Sequence, residues 1–128
     1  ETFFLGWKYG EKGAAIMSEI IEKLRAQRVD IAGIMERFLG DEELYEQCFT
    51  VFLEDEAFEK LTQAVKEEKY DEAFECAHML KGVSGNLGLT ELFETLSKVV
   101  ACYREKNFKE MAPLTQQVNA YKGKLEKL

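Results

Sequence analysis

Apolar residues recur at intervals of three and four through most of this chain of 128 residues, and that spacing predicts helices almost throughout. Pro113 is the single proline, so few positions prevent a helix from continuing. The predicted helices cover residues 17–27, 30–38, 41–55, 57–68 and 71–88, and two more start at residues 90 and 107. Short polar segments between such helices favour antiparallel neighbours. We therefore predict an all-α fold, an antiparallel four-helix bundle with one or two accessory N-terminal helices.

Residues that commonly cap helices mark several of these boundaries. The predicted N-caps are Ser18, Asp30, Asp41, Asp71 and Asn107. Gly40 is predicted to occupy the C′ position of the second helix, where a left-handed backbone conformation favours glycine. Pro113 falls near the first turn of the last helix. On the third helix, the predicted core-facing stripe consists of Leu44, Cys48, Val51 and Phe52.

The first sixteen residues, ETFFLGWKYGEKGAAI, differ from the rest of the chain because they are rich in aromatic residues and have no clear period. They lack an initiating methionine, whereas Met17 opens a predicted helix. We expect residues 1–16 to be an appended or irregular leader, with Met17 the natural start; a fragment of a longer chain is the alternative. Residues 17–128 are expected to form a single domain.

Composition excludes several classes of function. The net charge of −7 argues against a surface for nucleic acid or anionic lipid. No apolar run approaches the roughly 20 residues of a membrane span, and no signal peptide is evident, so we expect a cytoplasmic protein. The three cysteines, Cys48, Cys76 and Cys102, are too few and too far apart for a disulfide framework or a zinc site, and we expect buried free thiols. No metal or cofactor is expected. Nothing indicates a dimer, so we expect a monomer.

The only histidine, His78, lies within AHMLKGVSGNLG, residues 77–88. On a helix with about 100° per residue, a stripe of small and apolar residues faces inward and His78 points roughly 160° away from it. That predicted stripe is Ala73, Cys76, Ala77, Leu80, Val83, Ser84 and Leu87. Gly82 and Gly85 are expected beside His78 on the outer face, where they cost on the order of 2 kcal/mol relative to alanine. They would leave bare backbone for the close approach of another protein. We therefore favour an exposed, reactive histidine over one in the core.

Lys81 follows His78 by three residues and is therefore its neighbour on the helix surface. A phosphoryl group on the imidazole would bring a charge of roughly −1.5 to −2. An ammonium group nearby would stabilise that charge during transfer. An ordinary solvated lysine is the alternative. The combination with an exposed histidine and a following glycine favours the chemical role.

The sequence AHMLKGVSGNLG resembles the signature of histidine-containing phosphotransfer (HPt) domains: His, a leucine two residues on, Lys-Gly, a small residue, then Leu-Gly. The resemblance covers about residues 29–128. It implies that His78 is the phosphoacceptor, that Lys81 stabilises the phosphate, and that Gly82 lets a partner approach. A partner surface is expected from Phe74, Met79, Gly85 and Asn86, together with part of the helix over residues 44–53. For Phe74, cover by the adjacent helix is the alternative.

The resemblance further implies a phosphorelay intermediate in two-component signalling. His78 would accept a phosphoryl group from the aspartate of one receiver domain and pass it to the aspartate of another. The implied partners are receiver (response regulator) domains and a hybrid or sensor histidine kinase. The chain has no GxxxxGK[ST] loop for nucleotide phosphates, so we expect a phosphoryl carrier without ATP-dependent kinase activity. Two alternatives stay open: a helical adaptor that binds a receiver or other protein without accepting phosphate, and the phosphoacceptor module of a larger chemotaxis-type kinase.

Overall fold

The computed structural model describes residues 19–128, and the structural statements that follow refer to these residues. The leader, residues 1–16, and the predicted cap Ser18 lie outside them. The described helices are α1 (Glu19–Leu24), α2 (Ile31–Arg37), α3 (Glu42–Leu53), α4 (Ala57–Lys66), α5 (Tyr70–Asn86), α6 (Thr90–Arg104) and α7 (Met111–Glu126), with a short 3-10 turn at Phe108–Glu110 before α7. The prediction of an all-α helical bundle is confirmed. Among residues 19–128, no helix is long and apolar enough to cross a membrane.

Helices α4 to α7 form the four-helix bundle, in which each helix packs against two of the others. Helix α5 lies between α4 and α6, and α7 closes the ring by packing against both α4 and α6. Short loops join successive helices, so neighbours run in opposite directions. All four helices contribute fully buried side chains to the core, among them Leu61, Leu80, Leu96 and Val118. The burial of such apolar surface is the main favourable contribution to folding.

Arg37, the last residue of α2, binds the C-terminal end of α5. Its Nε donates a hydrogen bond to the carbonyl of Asn86 at 2.9 Å, and its Nη2 donates to the carbonyl of Gly85 at 3.3 Å. The last carbonyl groups of a helix have no partner within the helix. A cation at that position also complements the negative end of the helix dipole. Arg37 therefore both satisfies the end of α5 and ties α2 to it.

Two further donors reach the turn that follows α5. The buried hydroxyl of Tyr45 donates to the carbonyl of Leu87 at 2.7 Å, and the backbone N–H of Asp30 donates to the carbonyl of Gly88 at 2.9 Å. Burial raises the pKa of Tyr45, which keeps its hydroxyl protonated as a donor. These bonds fix the segment from α2 to α3 against the end of α5.

The predicted N-caps of α2 and α3 are confirmed. The carboxylate of Asp30 accepts a hydrogen bond from the N–H of Gly33 at 3.0 Å, and that of Asp41 accepts from the N–H of Leu44 at 2.9 Å. Each satisfies one of the donors that the first turn of a helix leaves free.

The predicted caps Asp71 and Asn107 are wrong. Helix α5 starts at Tyr70, with Lys69 at the N-cap position, two residues before Asp71, and no side-chain cap. Asp71 lies in the first turn of α5, where its carboxylate accepts a hydrogen bond from the Tyr103 hydroxyl of α6 instead. Asn107 precedes the 3-10 turn and makes no capping hydrogen bond.

Gly40 lies one position further along than predicted. Leu39, with φ of 52°, occupies the C′ position of α2, and Gly40 follows it with φ of 77°. The N–H of Gly40 donates to the carbonyl of Met35 at 2.9 Å, and that of Leu39 donates to Glu36 at 3.2 Å. This pair of hydrogen bonds is a Schellman motif. Helix α2 thus ends with a leucine in the left-handed conformation as well as a glycine.

The predicted core-facing stripe of α3 is wrong for Leu44, Cys48 and Val51, whereas Phe52 is buried as predicted. The buried residues of α3 are Glu42, Tyr45, Phe49, Phe52 and Leu53. Leu44 and Val51, by contrast, are 44% and 66% exposed, and Cys48 is exposed. The aromatic face of α3 is buried in preference to the predicted face, because its rings bury more apolar area. Tyr45 also packs edge-on against Phe38, with ring centroids 5.2 Å apart.

The three cysteines are free, as predicted, but their burial is not as predicted. Cys48 is exposed, and Cys76 and Cys102 are only half-buried. Partial burial raises the pKa of the Cys76 and Cys102 thiols. A raised pKa lowers the fraction of thiolate, the nucleophilic form, so these residues lack the activation expected of a catalytic cysteine.

Gly88 provides the clearest test of this architecture. Its φ is +70°, and an added Cβ would lie 2.8 Å from Cγ1 of Ile34 and 3.1 Å from the carbonyl oxygen of Asp30. A left-handed alanine costs about 1–2 kcal/mol, and overpacking adds about 1–3 kcal/mol. We expect Gly88→Ala to lower the free energy of unfolding in urea by at least about 2 kcal/mol.

Gly123→Ala is the matched control, because a Cβ at Gly123 in α7 meets no atom within 4 Å. It should raise the free energy of unfolding by about 0.5–1 kcal/mol. If Gly88→Ala were as stable as Gly123→Ala, the described junction between α2 and the end of α5 would be wrong.

Candidate functional site

His78 stands on the side of α5 that faces away from the core. The buried residues of α5 are Ala73, Ala77, Leu80 and Ser84, and Leu87 in the turn after the helix is also buried. Cys76 and Val83, which the sequence placed in the same stripe, are half-buried at its edges. The imidazole of His78 is exposed. The helical period that buries one face of α5 thereby presents the only histidine of the chain to solvent.

The imidazole stacks on a phenyl ring one helical turn earlier. The ring centroids of His78 and Phe74 are 5.7 Å apart, with the planes inclined by 24°. Phe74 is half-buried, because α6 covers its other side. There the Tyr103 ring stacks on Phe74 at 4.5 Å, and the Arg104 guanidinium carbon lies 5.5 Å from the Phe74 centroid. Phe74 therefore contributes little open surface to a partner.

Tyr103 is itself fixed by a hydrogen bond to Asp71 in the first turn of α5. The hydrogen bond to the carboxylate, and the negative charge there, raise the pKa of the Tyr103 hydroxyl. The contact thus ties α6 to α5 about two turns before His78.

Lys81 is half-buried beside the same face of α5. Its Nζ lies 5.7 Å from the centroid of the Phe93 ring of α6, in a cation–π contact. Within residues 19–128, no carboxylate is within ion-pair distance of this ammonium group, so its charge is not already neutralised by a direct partner. The backbone carbonyl of Lys81 accepts a hydrogen bond from the buried Ser84 hydroxyl at 2.8 Å.

The two glycines near His78 have different surroundings. Gly82 is exposed, and an added Cβ would meet no atom within 4 Å. At Gly85, however, a Cβ would lie 3.1 Å from Cδ1 of Phe93. The prediction that both glycines lie on the free face is therefore wrong for Gly85, which allows close packing of α5 on α6.

The remaining predicted surface residues lie on the exposed part of α5. Met79 is 41% exposed and borders a groove between α4 and α5, which Cys76 and Lys60 also line. Asn86, the last residue of α5, is exposed, and its backbone carbonyl is bound by Arg37. Within residues 19–128, no group of three or more His, Cys, Asp and Glu residues could hold a metal ion.

The contribution of α6 to the site was missed from the sequence. Phe93, Tyr103 and Arg104 contact Lys81 or Phe74, yet none was predicted as a site residue. The sequence does contain a signal that places these three residues near the site. Helices α5 and α6 are antiparallel and joined by a short turn, so residues equally far from that turn lie side by side. Phe93 is thereby level with Gly85, and Tyr103 with Phe74.

The model of one protein family, the Hpt domain, matches residues 43–127 of the chain. The matched region includes helices α4 to α7 and every residue proposed for the site. Searches of curated proteins and of solved structures found no match.

The two glycines permit a direct test of the site's geometry. Gly82→Ala should raise the free energy of unfolding by about 0.5–1 kcal/mol, because alanine favours the helix and the position is open. Gly85→Ala should be less stable than Gly82→Ala by about 1 kcal/mol or more, because the Phe93 ring must move. Urea denaturation followed by circular dichroism measures both. Equal stabilities would contradict the packing of Phe93 on Gly85.

Proposed function

The chain belongs to the Hpt domain family, which has a phosphotransfer role in two-component signalling, and we propose that His78 is its phosphoacceptor. The observation that carries the proposal is the exposure of this imidazole on the outer face of α5, opposite a stripe of buried residues. A histidine in that position is accessible to the active site of a partner protein. It is also the only histidine within the region that matches the family.

The proposed reaction is a reversible transfer between a receiver aspartate and His78. An unprotonated ring nitrogen forms an N–P bond while the P–O bond to the aspartyl carboxylate breaks, and the electron pair of that bond leaves with the carboxylate. The other ring nitrogen then carries the remaining proton. Transfer to a second receiver reverses these changes with a new carboxylate as the acceptor. The protein contributes positioning and electrostatic stabilisation to this chemistry.

Lys81 is proposed to stabilise the charge of the transferred group. It lies one turn after His78 on α5, and within residues 19–128 no ion pair occupies its ammonium. The contact with Phe93 holds the side chain over α6 and limits the directions in which it can extend. The hydrogen bonds that an ammonium group makes to an anion are stronger than neutral ones.

The docking surface is proposed to include Gly82, Met79 and Asn86. Gly82 has open space where a side chain would lie, so a partner backbone can approach the helix closely there. Met79 offers an exposed and adaptable apolar contact, and Asn86 offers polar groups at the end of α5. Gly85 is left out of this surface because Phe93 packs on it.

The proposed partners are receiver domains and the hybrid or sensor histidine kinase that phosphorylates them. Magnesium would belong to the acidic pocket of the receiver. We propose that the chain acts as a phosphoryl carrier in the cytoplasm, as a monomer, without using ATP itself.

The first test measures transfer of label from receivers. A panel of purified receiver domains is phosphorylated with radioactive acetyl phosphate and incubated with the protein. We expect label on the wild type that is labile in acid and stable in base, as for phosphohistidine, and no label on His78→Gln. The exposed position of His78 makes this substitution compatible with the fold, which circular dichroism verifies.

Three results would contradict the proposal. Equal labelling of wild type and His78→Gln would place the phosphoryl group elsewhere. Binding of a phosphorylated receiver without labelling would instead support an adaptor. Labelling by ATP and a separate catalytic domain, with none from any receiver, would favour the phosphoacceptor module of a chemotaxis-type kinase.

The second test concerns the cation. Lys81→Ala should lower the rate of transfer from a phosphorylated receiver by at least about tenfold, since a hydrogen bond to a charged group contributes about 1.5 kcal/mol or more. Lys98→Ala, which removes an exposed lysine of α6, is the control with the same change in net charge and should leave the rate unchanged. Equal transfer rates for Lys81→Ala and Lys98→Ala would contradict the proposed role of Lys81 in stabilising the transferred group.

A further inference from the structure

The stack between Phe74 and His78 bears on how the imidazole is oriented. We propose that Phe74 is a positioning residue, which holds the plane of the His78 ring in one direction for phosphoryl transfer; this inference rests on the proposed function. The centroid separation of 5.7 Å and the inclination of 24° lie within the range of offset-stacked aromatic pairs. Phe74 does not contact the phosphoryl group in this proposal and acts through His78.

Hydrogen bonding does not supply the orientation. Within residues 19–128, neither ring nitrogen of His78 has a hydrogen-bond partner. A reactive or metal-bound histidine commonly has its ring fixed by a hydrogen bond to the second nitrogen. Here the described contact that restrains the ring is the face of Phe74. The stack therefore takes over the orienting role while both nitrogens stay open to a partner.

Phe74 can restrain His78 because two side chains of α6 hold it in turn. Tyr103 stacks on it at 4.5 Å, closer than the imidazole, and the Arg104 guanidinium lies against its ring. Both residues come from the last turn of α6, across the interface between α5 and α6. A phenyl ring held in this way has less rotamer freedom than one on an open helix surface, so it presents a fixed face to the imidazole.

Further contacts hold Tyr103 in place on the side away from His78. Its hydroxyl donates to Asp71, and its ring lies 6.2 Å from the ring of Phe108 in the 3-10 turn. Phe108 in turn stacks on Tyr70, the first residue of α5, with centroids 4.5 Å apart and planes inclined by 7°. A row of aromatic side chains thus runs from the start of α5 to the imidazole. The residues of this row are Tyr70, Phe108, Tyr103 and Phe74.

The expected consequence is kinetic. Without the stack, the imidazole samples its other helix-compatible rotamer, and a smaller fraction of encounters finds the nitrogen in line with the phosphorus. An aromatic pair contributes about 0.5–1.5 kcal/mol beyond area burial, so losing it should lower the limiting transfer rate about two- to twelvefold. The receiver concentration that gives half of the limiting rate should not change, because docking does not use the covered Phe74 ring.

The test compares Phe74→Leu with Phe74→Tyr. Leucine keeps an apolar side chain but has no ring, whereas tyrosine keeps the ring. We expect the limiting rate to fall in Phe74→Leu and to be restored in Phe74→Tyr. With phosphoramidate, a donor too small to use a docking surface, the same pattern is expected. Phe58→Leu is the matched control: Phe58 is buried in α4, so this variant loses stability and should keep the limiting rate.

A second measurement reports on the ring without any phosphoryl transfer. The Hδ2 and Hε1 resonances of His78 are identifiable because the chain has one histidine. They should move downfield in Phe74→Leu, where ring-current shielding is lost, and stay in place in Phe74→Tyr and Phe58→Leu.

The outcomes separate the two proposals. Label on the wild type, with an unchanged limiting rate or only a raised half-saturating receiver concentration in Phe74→Leu, contradicts the positioning role alone. Unmoved His78 resonances in Phe74→Leu contradict the stack itself. Absence of label on the wild type from every donor contradicts the proposed function.

Discussion

The carbonyl groups at the C-terminal end of α5 are the constraint on which the arrangement of the site depends. A helix cannot satisfy its last carbonyls internally, and α5 ends against other parts of the protein. Its partners are the Arg37 guanidinium, the Tyr45 hydroxyl and the N–H of Asp30. All three come from the segment that precedes the four-helix bundle. Arg37 and Asp30 also lie before the region that matches the family, so this part of the anchoring is outside the match.

This anchoring has a direct effect on the exposed face of α5. Fixing the carbonyls of Gly85, Asn86 and Leu87 fixes the rotation of the helix about its axis at one end. At the other end, the bond between Asp71 and Tyr103 ties the first turn to α6. His78 lies between these two attachments. Its direction is therefore set by contacts on either side of it, in a helix whose buried face holds little more than alanine, leucine and serine.

Local patterns in the sequence were enough to predict the elements but not which faces meet. The stripe that includes Ala73, Ala77 and Leu80 was predictable because one periodic face of α5 is apolar and the other is not. On α3 two faces have helical spacing, and the face that is buried carries the Tyr45 hydroxyl, whose acceptor lies 42 residues away. No window of local sequence contains that acceptor.

The same reasoning explains the errors near the site. Asp71 has the chemistry of a cap, but a tyrosine on the neighbouring helix competes for its carboxylate. Gly85 lies within the motif and next to His78 on a helical projection, yet Phe93 reaches it from α6. Both outcomes follow from the antiparallel pairing of α5 and α6, which a projection of one helix does not include.

The open ring edge of His78 has a consequence for the site of bond formation. A stacked face restrains the plane of an imidazole but does not distinguish a ring from the same ring turned over by half a rotation about χ2. For the proposed phosphoacceptor, the choice between Nδ1 and Nε2 is thereby left to the geometry of the visiting active site, so that two receivers with different active-site geometries would form different isomers on the same side chain.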